Sequence, residues 1–178
     1  MTIRRDYNPF ANIDIHLPNA YWQDVRRFSR TGGADEPGKG DPAEIPFNRY
    51  IDFWTLAACV GIGQNSFVSL EQGEKHRFIT GSVLQGDLQR IELLMLLSIA
   101  HTGDPFIVNQ PRKIVEIAEG YAAGGFPTIL EMLREGHLPA AQNLTRSLLR
   151  KLRPDFQPAN PDEAAPRSSR MESDAHSS

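Results

Sequence analysis

Two carboxylates and an imidazole stand close together in the run EQGEKHR, where Glu71, Glu74 and His76 surround Lys75 and precede Arg77. Such a trio can hold a divalent cation or move protons to and from an attacking water. A solvated charged turn has the same composition and is the commoner origin of such a run. Asp52, early in an apolar stretch, is the further carboxylate to be weighed with them. Cleavage of a phosphodiester develops charge on the phosphate oxygens, and a divalent metal is the common way to offset it. Were the chain to cleave a phosphodiester, Mg²⁺ would be the expected cofactor, with Glu71, Glu74 and Asp52 as the carboxylates to try first and His76 as the base. The sequence assigns no set of metal ligands.

Other polar residues carry less. His101 precedes Asp104 by three residues at the end of an apolar run. The pair could ligate a metal, though a histidine satisfying free carbonyls at a helix end is more usual. Asp14 and His16 share one face of a short alternating segment, either a polar surface for a DNA groove or the wet side of an edge strand. Cys59 is the single cysteine, so no disulfide framework exists. A nucleophilic thiol needs a nearby base and an electropositive setting. Neither is local, so a buried core cysteine is expected. The chain has no Walker loop, no dinucleotide fingerprint and no nucleophile elbow.

The net charge is -3, which excludes a globally basic field of the kind that coats nucleic acid. Any grip on DNA must then be local. Three basic groups offer it: Arg26, Arg27 and Arg30; Arg49, Lys75 and Arg77; and Arg146, Arg150 and Lys151. The first is favoured, because it adjoins the strand of Asp14 and His16 and a flexible loop.

These residues need elements to position them. The 178 residues suit one domain with a real core, and 40% hydrophobic content is globular. Residues 12–18 alternate as a strand, and 19–30 follow as a helix. The glycines and prolines of 31–46 mark a flexible linker. Helices are expected over 47–61, 87–104, 110–123, 126–135 and 139–152. Asp87 should cap the third of the six, and Gly103 should end it. That helix is apolar on most sides and is expected to be central. Gly61 and the pair Gly124 and Gly125 are read as helix stops. Phe67 to Leu70 and Phe78 to Val83 should form a small hairpin around the charged turn. The division is an N-terminal arm over 1–11, a strand–helix unit over 12–30, the linker, a helical core over 47–152 and a disordered tail over 153–178.

The run RYIDFWTLAACVG, followed after an insert by IELLMLLSIAHTGDP and IVEIAEGYAAGGF, resembles the small helical accessory proteins of bacterial DNA phosphorothioation systems, of the Dnd and Ssp types. The resemblance covers roughly residues 46 to 136. It implies a component of a DNA modification and defence system, with DNA binding or duplex nicking as the activity and other proteins of the system as partners. No catalytic motif carries over residue by residue.

The fold class expected is mainly α: a single compact helical domain of about six helices, with a short N-terminal strand and a minor β hairpin. Two functions stay open, a DNA-binding or nicking component and a non-catalytic helical adaptor that assembles partner proteins. The broad apolar surfaces of two helices suggest a homo-oligomer, most simply a dimer. The apolar runs are too short and too flanked by charge to span a membrane, and the start of the chain does not look like a signal peptide. The expected location is the cytoplasm.

Overall fold

A computed structural model describes residues 7–30, 41–71 and 74–153. Seven elements carry the fold: β1 (Asp14–Pro18), α1 (Trp22–Phe28), α2 (Tyr50–Gly63), β2 (Lys75–Thr80), α3 (Leu88–Thr102), α4 (Pro111–Arg134) and α5 (Ala140–Leu152). Short 3₁₀ turns lead into α1 and α3 and join α3 to α4. The class is mainly α, one domain around one core, as expected.

The helix at the centre is α4, not α3. Of its 24 residues, 16 are buried, and its largest interface is with α2. The segment expected to form two helices forms one. Gly120, Gly124 and Gly125 do not stop it, because each gives room to a neighbouring chain. A Cβ at Gly125 would collide with the carbonyl of Ala57 on α2, and one at Gly61 with the carbonyl of Tyr121. Gly61 therefore lies inside α2 instead of ending it. The helix-propensity cost of these glycines, roughly 1 kcal/mol each, is offset by close backbone packing. Pro127 also sits within α4, where its ring is on the exposed side.

The outer helix α3 keeps the ends expected of it. The Asp87 side chain accepts the Arg90 N–H at 3.2 Å, and Gly103 takes φ 69° with its N–H on the Ile99 carbonyl. Its outward side leaves Leu96 65% exposed. The N-cap of α2 is Arg49, and the Asp52 side chain reaches back to its N–H at 3.1 Å.

The hairpin is not local. β2 pairs antiparallel with the distant β1, Ile15 opposite Ile79 and Leu17 opposite His76, with a bulge between Ile15 and His16. Residues 64–71 do not join it. Their donors go to helix backbones instead, Ser66 N–H to the Gly61 carbonyl and Val68 N–H to the Gly120 carbonyl. The strand–helix unit is not set apart from the helical core either. Ile15, Leu17, Val25 and Phe28 share one cluster with Trp54, Ile114 and Phe126, and Phe10 of the N-terminal arm is fully buried in it. Residues 31–40 of the linker and the tail from 154 on lie outside the described residues.

Candidate functional site

Where the sheet meets the central helix there is a buried charge. Glu119 projects from α4 with 3% of its side chain exposed. Helical spacing alone would place it outward with Arg112, Lys113 and Glu116, opposite Ile114, Ile117, Ala118 and Tyr121. It points inward instead, because β1 lies across α4 at this level and brings donors with it. The bulge turns His16 toward the helix. Its backbone N–H donates to Glu119 Oε1 at 2.8 Å, and its ring Nδ1 lies 2.9 Å from the same oxygen. An ionised carboxylate only accepts, so this contact is a hydrogen bond when the ring carries a proton on Nδ1. Lys75 Nζ, from β2, stands 3.5 Å from Oε2. The His16 carbonyl accepts the Trp54 indole N–H at 3.2 Å. One carboxylate thus joins both strands to the helix and caps the outer edge of β1.

Clefts open on both sides of this group. One, of about 250 Å³, is lined by Asp14, His16, Lys75, Arg112, Glu116 and Glu119 among others. The other, of about 260 Å³, adds Phe67 and Lys113. The sequence signal for Glu119 was faint: an acid inside the small-residue run AEGYAAGG, where small residues mark close packing.

The four residues considered for catalysis stand in three places. Asp52 belongs to the start of α2, where its Oδ1 receives Arg49 at 2.8 Å and Arg90 at 3.1 Å. Asp52 holds the Arg49 guanidinium above its ordinary pKa range, chiefly by hydrogen bonding and against the effect of burial. His76 stacks on the Trp22 ring, centroids 4.5 Å apart. Glu71 and Glu74 are exposed at the turn before β2, linked by the Glu74 N–H to the Glu71 carbonyl. They do not converge into one group. Among the described residues no three His, Cys, Asp or Glu side chains are placed to hold a metal ion.

The other polar pairs separate too. His101 does not bond the carbonyls of its helix end. Its Nδ1 meets the Tyr121 hydroxyl at 3.0 Å and its ring stacks on Phe67. Asp104 instead caps the next turn, accepting the Phe106 N–H at 2.9 Å. Cys59 is exposed on the outward side of α2, not in the core, because α2 turns Ala57, Ala58 and Gly61 toward α4. Partial burial raises its pKa, with Arg90 opposing. A raised pKa means less thiolate at a given pH. Alkylation by iodoacetamide at pH 8 should therefore be slower than that of an unfolded-chain cysteine and should climb at higher pH. A rate equal to that of the chain in denaturant would contradict this.

The basic groups divide by pairing. Arg49 faces Asp52 and Asp87, Lys75 faces Glu119, and Arg77 faces Asp14 at 2.9 Å. Arg150 of α5 lies 3.8 Å from Glu135. On α1, Arg26 rests over the Trp22 ring and Arg27 over the Phe28 ring; Arg30 lies exposed two residues past the helix, its backbone N–H on the Phe47 carbonyl. None of these three has a carboxylate partner among the described residues. Asp24, their acidic neighbour, is taken by Arg134. No described helix is long and apolar enough to cross a membrane.

Comparison with curated proteins and with solved structures finds no match. A family model does match, across residues 39–164, and is described as DNA sulphur modification system-associated protein 4. The match spans α2 to α5 with β2, including Glu119 and the α2–α4 crossing, and starts after β1 and α1. The chain therefore belongs to the family of DNA sulphur modification system-associated protein 4.

Proposed function

We propose that the protein is a DNA-binding component of the sulphur modification system, working in the cytoplasm and holding the duplex backbone through Arg26, Arg27 and Arg30. One observation carries this reading. Arg26 and Arg27 of α1 and Arg30 just beyond it have no carboxylate partner among the described residues, whereas Arg49, Lys75 and Arg77 are each paired within the fold. A charge already paired releases fewer counterions on meeting phosphate. Of the three basic groups this is the one with no member paired to a carboxylate among the described residues, since Arg150 of the third faces Glu135, and in an acidic protein such a group is where a duplex would go.

The test is a binding titration across salt concentrations. Replacing Arg26, Arg27 and Arg30 together with Ala should weaken binding on all sequences and reduce the salt slope by about three, roughly one per lost phosphate contact. An unchanged slope in a folded triple variant would reject this face. Nicking is the finer activity of the same class. It is read on supercoiled plasmid with Mg²⁺ and with excess EDTA. Open-circular product that vanishes in EDTA supports metal-dependent nicking; a shift with the plasmid still supercoiled supports binding alone.

A second reading has its own observation. Leu96 and Phe106 are 65% and 73% exposed. Such side chains suit a non-catalytic adaptor that gathers other proteins of the system without touching DNA. They also suit a homodimer, which would present α1 twice to one duplex. A monomeric mass by light scattering at micromolar concentration would remove the dimer.

A further inference from the structure

Fastening β1 to α4 needs only a backbone donor, and the His16 N–H already bonds Glu119 Oε1 at 2.8 Å. The imidazole goes further. Its Nδ1 lies 2.9 Å from the same oxygen, which fixes the ring in orientation and tautomer. The Trp54 indole N–H, on the His16 carbonyl, holds the backbone behind it. With the proton on Nδ1, the lone pair of the neutral ring lies on Nε2, at the edge away from the carboxylate. Nε2 has no hydrogen-bond partner among the described residues. The side chain is 28% exposed and lines the cleft of about 250 Å³. An oriented imidazole with a free lone pair at a cleft, backed by a buried carboxylate, is the arrangement of a general base.

The same cleft holds cations. Lys75 Nζ stands 3.5 Å from Glu119 Oε2, so the two oxygens of one carboxylate keep the imidazole and the ammonium side by side. Arg112, exposed in the first turn of α4, also lines the cleft and has no carboxylate partner among the described residues. Of the other acids there, Asp14 is taken by Arg77 and Glu116 is exposed on α4. A base with an ammonium beside it and a guanidinium across from it suits attack on an anionic ester.

The geometry points to His16 as the general base for hydrolysis of a phosphodiester in this cleft, with Glu119 as its positioning residue. The choice of substrate rests on the DNA-binding reading. Nε2 takes a proton from a water, and the water oxygen bonds to phosphorus as the bond from phosphorus to the sugar oxygen breaks. The Lys75 ammonium gives a proton to the departing oxygen, and Arg112 offsets charge on the phosphate. Solvent then carries the proton from His16 back to Lys75. Glu119 stays ionised throughout and stabilises the imidazolium as it forms.

The experiment is relaxation of supercoiled plasmid by the full chain in excess EDTA, with bis(p-nitrophenyl) phosphate as a small diester. Open-circular product is expected from the parent. His16→Ala should slow both reactions by roughly 100-fold or more while binding plasmid as tightly as the parent, and added imidazole should restore part of the rate. Lys75→Ala should slow the plasmid reaction far more than the small diester, whose nitrophenolate departs without a proton. Because His16→Ala also removes a bond to Glu119, NMR of the imidazole nitrogens in the parent is the independent check. It should place the proton on Nδ1, and Glu119→Gln should let the Nε2–H form appear. An Nε2–H ring in the parent, cleavage abolished by EDTA, or His16→Ala as fast as the parent would each overturn the proposal. Plasmid bound with neither diester cleaved would overturn it too and leave the α1 reading standing. Cleavage of the small diester that requires His16, with no plasmid bound, would sink the α1 reading and sustain the pair of His16 and Glu119.

Discussion

Gly125→Val should destabilise the native fold strongly. At this position α4 crosses α2 with its backbone against the Ala57 carbonyl and the Gly61 amide. A valine Cβ has no flexible side chain to displace there, only main chain. Relief requires the two helices to move apart, and they form the largest interface in the protein. Overpacking a well-packed core costs about 1–3 kcal/mol, and more when backbone must shift. A loss of roughly 3 kcal/mol or more is expected, against a total of about 5–15 kcal/mol for an ordinary domain. Thermal unfolding would show it as a fall of roughly 6–12 °C. Gly63→Ala supplies the contrast. It lies one half-turn beyond Gly61 in the same helix, where an added Cβ meets nothing within 4 Å. It should be neutral or stabilising by up to about 1 kcal/mol, the helix-propensity gain. If Gly125→Val melted within a degree or two of the parent, the tight crossing would be wrong.

Glu119→Ala is the second large effect expected. It removes the acceptor of the His16 N–H and ring and the counterion of Lys75 in one step. Breaking a buried pair by deleting one partner costs about 3–5 kcal/mol. The lower end applies, because Lys75 and the His16 ring are partly exposed and can turn to water. Glu119→Gln keeps an oxygen for the His16 N–H and should lose less, roughly half. Denaturant unfolding gives the magnitudes, and exchange of the His16 amide gives the location. Fast exchange of that amide in Glu119→Ala, with little change elsewhere, would show β1 released from α4. A Glu119→Ala variant as stable as the parent would mean that the carboxylate does not fasten the sheet.

The elements themselves were legible in the sequence where the signal is local. The ends of α3 follow from Asp87 and Gly103 alone, since a cap needs only the amides of its own first turn and a left-handed residue needs only a missing Cβ. The apolar runs of α2 and α5 and the alternation of β1 were readable for the same reason. The long insert was not. Phe67 to Leu70 has the composition of a strand, but the Val68 N–H goes to the Gly120 carbonyl of α4, far off in sequence, and not to a strand.

The glycines show where local reading ends. In sequence, Gly124 and Gly125 stop a helix, because their lack of a side chain lowers propensity. In the fold they continue one, because the same lack admits a second backbone at a distance that no other residue permits. Propensity is a difference of about 1 kcal/mol, and the packing it opposes is larger. Glu119 shows the same for charge. On α4 its spacing suits a solvated face, and only the bulged strand laid across the helix supplies the donors that let it be buried. What the sequence determined by itself was the helical class, the caps of α3 and the run of residues shared with its family. Which helix is central, which arginines are paired and which carboxylate is buried were decided by tertiary structure, since each depends on partners that only folding brings within a few ångströms.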